Sequence, residues 1–126
     1  MLDGAHSETD AKNLVNYLKS IMVTKYGIWA MMKNKEPDIF IKQFKDTFKK
    51  IITVSIENEQ GSMSAKELSF IALKNKFNVE KANTFNEALK KISSKEKKLI
   101  VILTNKLIEK YPDVSADNTQ IGRAHV

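Results

Sequence analysis

An acid, a glycine and an imidazole fall within four residues near the start of the chain, in Asp3-Gly4-Ala5-His6. A carboxylate accepts hydrogen bonds from hydroxyl groups, and an imidazole donates to developing negative charge. Outside the polar tail, His6 is the one side chain whose ordinary pKa lies near neutrality. Gly4 lets the backbone pass close to a ligand or take positive φ. The segment follows an apolar stub and precedes a helix signal. Open α/β sheets hold ligands in such strand–loop–helix turns, outside the carboxyl ends of the strands. Asp3 and His6 alone are too few ligands for a metal ion, so no metal site is expected. The competing reading is a plain βα turn with a buried aspartate and a surface histidine.

A second stretch, Met31-Met32-Lys33-Asn34-Lys35-Glu36, leaves the carboxyl end of an apolar strand pattern and so belongs to the same sheet edge. Lys33 and Lys35 are candidates to face an anionic ligand there; the competing reading is a solvated charged loop. The two methionines fit core filling better than a cofactor box. The chain has no G-x-x-x-x-G-K-[ST] loop, no G-x-G-x-x-G and no G-x-S-x-G elbow. The two segments therefore make one wall of a site and need a second wall from elsewhere.

Elements must position these residues, and the chain has room for one domain's worth: 126 residues, 42% hydrophobic. The absence of cysteine excludes disulfides and thiolate zinc sites and fits a reducing compartment, so a cytoplasmic location is expected. No apolar run approaches the roughly 20 residues that span a bilayer, and no basic-then-apolar leader is present, so no membrane partner is expected. The net charge of +6 reads as lysines distributed over helix outsides and loops, among them Lys42, Lys45, Lys74 and Lys76. The single arginine, Arg123, lies in the tail and the aromatics sit at core spacing, so nucleic acid is not an expected partner.

Helix and strand patterns alternate. Ser7-Glu8-Thr9-Asp10 reads as a capping box, followed by Ala11, Leu14, Val15, Leu18 and Met22 at helical spacing. Residues 26–32 are apolar throughout, as in a strand buried on both faces. Pro37 suits a helix first turn, with Phe40, Phe44 and Phe48 as its stripe. Residues 51–56 read as a second central strand. Ser64-Ala65-Lys66-Glu67 opens another helix with Leu68, Ile71 and Ala72 inward. A short strand at 79–82 follows, then a helix opened by Thr84-Phe85-Asn86-Glu87 with Ala88, Leu89 and Ile92 inward. Residues 99–103 are the clearest strand. This alternation implies βαβ units with right-handed crossovers and a mostly parallel sheet. Both ends read as cut. Residues 104–126 are expected to be a tail without regular structure, and 121–126, which match the translation of a common sequencing adapter, are expected to be a scar outside the fold.

Leu2-Asp3-Gly4-Ala5-His6-Ser7 resembles the L-D-G-A-H-N segment of the folylpolyglutamate synthases, including the bifunctional dihydrofolate synthases, and residues 31–36 resemble their M-M-K-D-K-D loop. The spacing between the two and the Ser64-Ala65-Lys66-Glu67-Leu68 helix start fit as well. The resemblance covers residues 1–103 and implies the carboxyl-terminal domain shared with the Mur ligases, a three-layer Rossmann-like α/β fold. It implies an ATP-dependent ligase of folate biosynthesis and one-carbon metabolism, joining L-glutamate to folate or dihydropteroate through an acyl phosphate. ATP and Mg2+ would be held mainly by an amino-terminal P-loop domain, in cis or as a split partner. By the same resemblance Asp3 contacts the nucleotide, His6 is catalytic beside the reacting phosphate and glutamate, and Lys33 is a further nucleotide-binding candidate. The fragment would then be inactive alone. The alternative is a non-catalytic remnant or binding module with the same fold.

Overall fold

Continuous apolar character puts one strand at the centre of the molecule. In the computed structural model, which describes residues 8–56, 60–92, 97–104 and 119–125, helix α1 (Glu8–Ser20) leads into this strand, β1 (Thr24–Ala30). There follow a 3-10 turn (Lys33–Lys35), α2 (Pro37–Lys42), β2 (Lys50–Thr53), α3 (Ala65–Lys74), β3 (Val79–Lys81), α4 (Phe85–Lys91), β4 (Lys98–Thr104) and β5 (Thr119–His125). The sheet order is β3-β2-β1-β4-β5 and all pairings are parallel. In register, Gly27 lies opposite Ile51 on one side and Val101 on the other. The three expected central strands are therefore adjacent and parallel.

The period-2 alternation of the strands sorts their side chains between two helical layers. Trp29, Met31, Ile51, Val101 and Leu103 pack with Leu14, Val15 and Leu18 of α1, Phe40 and Ile41 of α2, and Leu68 and Ala72 of α3. On the other face Tyr26, Ile28, Ala30, Ile52 and Ile100 pack with Ala88 and Ile92 of α4. The result is a three-layer α/β fold of the expected Rossmann-like kind. Each fully buried Leu, Ile or Phe in it contributes about 1.5–3 kcal/mol of transfer free energy.

Local chemistry explains most boundaries. Ser64 accepts the Glu67 N–H and Glu67 accepts the Ser64 N–H, each at 3.0 Å, a complete capping box. Thr84 supplies the hydroxyl half at α4, accepting the Glu87 N–H at 3.0 Å. Three expectations are corrected. Met22 lies off the apolar face and is exposed, because α1 ends at Ser20. β2 is shorter than residues 51–56: after Val54, whose N–H still donates to Trp29 O, the chain turns away and Ser62 takes the Ile56 N–H. Finally, β4 runs to Thr104, and residues 119–125 form β5 where no regular structure is expected. Their pairing with β4, from Lys98–Thr119 to Thr104–His125, uses backbone donors and acceptors that any proline-free stretch supplies, so it leaves no apolar signature.

Candidate functional site

Five parallel strands bring all their carboxyl ends to one edge. The connections from β1 lead to β2 and β3 on one side, while β4 and β5 add to the other, so strand order reverses between β1 and β4. The crevice outside the carboxyl ends at such a switch point is where open α/β sheets bind ligands. Its floor is the Ala30–Thr104 pair. Helix α1 ends three residues before β1 begins and packs back along the sheet, so it runs antiparallel to β1 and its first turn, from Glu8, lies at this same edge. Asp3, Gly4, Ala5 and His6 lie outside the described residues.

The rim above β1 is a stitched pair of loops. Lys33 N–H donates to Gly61 O at 2.8 Å, Met63 N–H donates to Met31 O at 2.9 Å, and Met32 forms an antiparallel bridge with Ser62. The Ser62 hydroxyl accepts the Ile56 N–H at 2.8 Å and donates to Met63 O at 3.0 Å. A Cβ at position 61 would stand 2.8 Å from the Met32 methyl, the flexible end of a side chain that can turn aside. Backbone hydrogen bonds thus join residues 31–33 of the β1–α2 loop to residues 61–63 before α3. Sequence reasoning missed this, because backbone bonds between distant loops carry no side-chain signal.

Lys33 stands where the sequence places it, exposed at the carboxyl edge, with Lys35 also exposed. It is not an isolated cation. Glu67, at the start of α3, is held below the usual carboxylate range first by the Ser64 N–H, then by the Ser64 side chain, with the Lys33 charge adding to both. Thr53 is a second missed residue. Buried at the end of β2, its hydroxyl donates to Ala65 O at 2.8 Å and seats the first turn of α3 over the strand. A hydroxyl residue set between Ile52 and Val54 is the signal that points to it. Among the described residues, no group of three or more His, Cys, Asp or Glu side chains comes together to hold a metal ion. None of the described helices is long and apolar enough to cross a membrane.

No protein-family model matches the chain, and no curated protein matches it. Solved structures do. Folylpolyglutamate synthase of Mycobacterium tuberculosis complexed with ADP matches with a TM-score of 0.61 at 15% identity, over 69% of this chain and 20% of that one. The same organism's enzyme complexed with ADP and AMPPCP gives 0.67 at 16% identity, over 80% of this chain and 25% of that one. The bifunctional folylpolyglutamate synthase/dihydrofolate synthase of Yersinia pestis, complexed with AMPPNP and a Mn ion, gives 0.63 at 18% identity, over 82% and 25%. The chain has the fold found in these synthases and spans a quarter or less of their length.

Proposed function

We propose that the chain supplies the carboxyl-terminal wall of an ATP-dependent ligase that joins L-glutamate to a folate or dihydropteroate carboxylate in the cytoplasm. The observation that carries this reading is the switch-point edge. The rim holding Lys33 and the first turn of α1 share that edge, in a fold found in synthases complexed with ADP and AMPPNP. In such a ligase ATP supplies the phosphoryl group that turns the carboxylate into an acyl phosphate, from which the glutamate amine displaces phosphate. On this chain, Asp3 accepts ribose hydroxyls, Lys33 offsets phosphate charge, and the His6 N–H stabilises negative charge as it develops. The described residues offer no ligand set for Mg2+, so the metal is assigned to the P-loop module and no step here runs through it.

The test is the 126-residue chain fused behind the P-loop module of a folylpolyglutamate synthase. The expected result is ADP release that requires both folate and glutamate. A well-folded fusion that binds nucleotide at the P-loop module but releases no ADP would leave the second reading, a non-catalytic module of the same fold.

A further inference from the structure

Four lysines that look dispersed in the sequence converge at the edge of the sheet opposite the candidate site. Helix α3 runs away from the carboxyl edge, and its C-terminal end meets α2, whose Asp38 bonds Lys74 and Asn75 there. A pocket of about 320 Å³ opens there, lined by Lys42, Lys45, Lys74, Asn75, Lys76 and Phe77. The expectation of an evenly spread basic surface is corrected at this point. Asp38 is the carboxylate beside the pocket: it pairs with Lys42 at 3.0 Å and Lys74 at 3.6 Å and accepts from the Asn75 amide at 3.0 Å. Asn75, then Lys42, hold it below the usual carboxylate range, so it stays ionised at neutral pH. Two of the four ammonium groups are thereby offset by one charge. The Lys45 and Lys76 ammonium groups have no hydrogen-bond or ion-pair partner among the described residues.

Helix C-termini favour lysine through their dipole, which accounts for Lys42 and Lys74 in the last turns of α2 and α3. It does not account for Lys76. Lys76 has φ 68 and sits just past the end of α3, where its N–H donates to Leu73 O and the Phe77 N–H donates to Ala72 O. Glycine is the usual residue in this left-handed cap, since it has no Cβ to strain. A lysine there keeps a strained backbone and places a cation in the pocket. Asp46, directly after Lys45, is likewise left-handed, with φ 62, and does not line the pocket.

We infer that this pocket binds a small free oligophosphate, independently of the carboxyl-edge site. Lysine ammonium groups are compact point charges, and lysine is a common binder of phosphate in that form. The volume is at the small end of ligand sites, which suits an anion of several charges and no large organic body. The experiment is isothermal titration of the 126-residue chain with tripolyphosphate at low ionic strength, where exposed charges are least screened. One site is expected. Lys45→Gln and Lys76→Gly should each weaken it by about two- to fivefold, the scale of one exposed ionic contact, while Lys90→Gln, on α4 across the sheet, leaves it unchanged. Citrate, a carboxylate anion of lower charge, should bind more weakly. Because Lys76→Gly relieves backbone strain, its thermal midpoint should not fall, which separates lost binding from lost fold. Unchanged affinity in both variants, an equal loss in Lys90→Gln, or citrate binding as tightly as tripolyphosphate would overturn the inference.

Discussion

Glu67 joins a helix cap to the rim of the candidate site, since it both closes the first turn of α3 and lies in the field of Lys33. Its carboxyl, like those of Asp38 and Glu80, is held below its ordinary value; for Glu80 the Lys50 hydrogen bond is the main cause. Below ordinary values of 3.8 for Asp38 and 4.5 for the two glutamates, the unfolded chain takes up these protons before the folded one does. The stabilisation is therefore complete above that range and lost as pH falls through the lower folded-state values. All three groups face solvent, so the loss is small. Urea midpoints measured at about pH 6 and about pH 3 should fall on acidification, and Glu67→Gln, which can still accept the Ser64 N–H, should flatten part of that fall. Ser64→Ala should cost about 0.5–2 kcal/mol at either pH, because it removes the hydroxyl half of the cap. In the assembled ligase, Asp3→Ala should weaken nucleotide binding by roughly 1–3 kcal/mol in equilibrium titrations, the scale of a lost charged hydrogen bond. His6→Ala should instead lower kcat more than affinity, and a mutant with normal kcat would leave His6 a turn residue.

Among the elements, α2 shows how a stripe outlives its helix. The regular helix stops at Lys42, yet Phe40, Phe44 and Phe48 remain in line through the following turns, with ring centroids 5.2 Å and 5.8 Å apart. Phe44, fully buried between the other two, is the expected weak point: Phe44→Ala should cost about 3–5 kcal/mol in chemical denaturation, against far less for Phe70→Ala on the exposed face of α3. The central strands were legible in the sequence because burial on both faces demands unbroken apolar runs, as at Ile100, Val101 and Ile102. The α3 start was legible because its capping chemistry is local. The end of β2 was not, since it is set by where a distant partner, Ser62 for Ile56, takes over the backbone bond. In the candidate site the position of Lys33 could be read from its place after β1. Its tie to Gly61 and its proximity to Glu67 could not, because both depend on a loop folding back across the sheet edge.

At the scale of the whole molecule the two lysine features lie at opposite edges of one sheet, so a variant at either should leave the other undisturbed. The chain by itself should show no glutamate-dependent ATP turnover above a protein-free control, because its 126 residues contain no phosphate-cradling loop. Turnover by the pure chain would remove the need for a second module and the proposal with it. The pairing of β5 with β4 has a separate consequence for how the molecule behaves in company. β4 is buried along its entire length, and seven of its residues are matched by residues 119–125. A chain stopped at Thr104 would present that row of backbone donors and acceptors, flanked by Leu99, Val101 and Leu103, as an open template for strands of other molecules. The stretch with the least apolar patterning in the sequence would then act as the sheet's guard against self-association. Light scattering should find the shortened chain forming higher-order species at concentrations where the full chain stays monodisperse, even if the two unfold at similar urea concentrations.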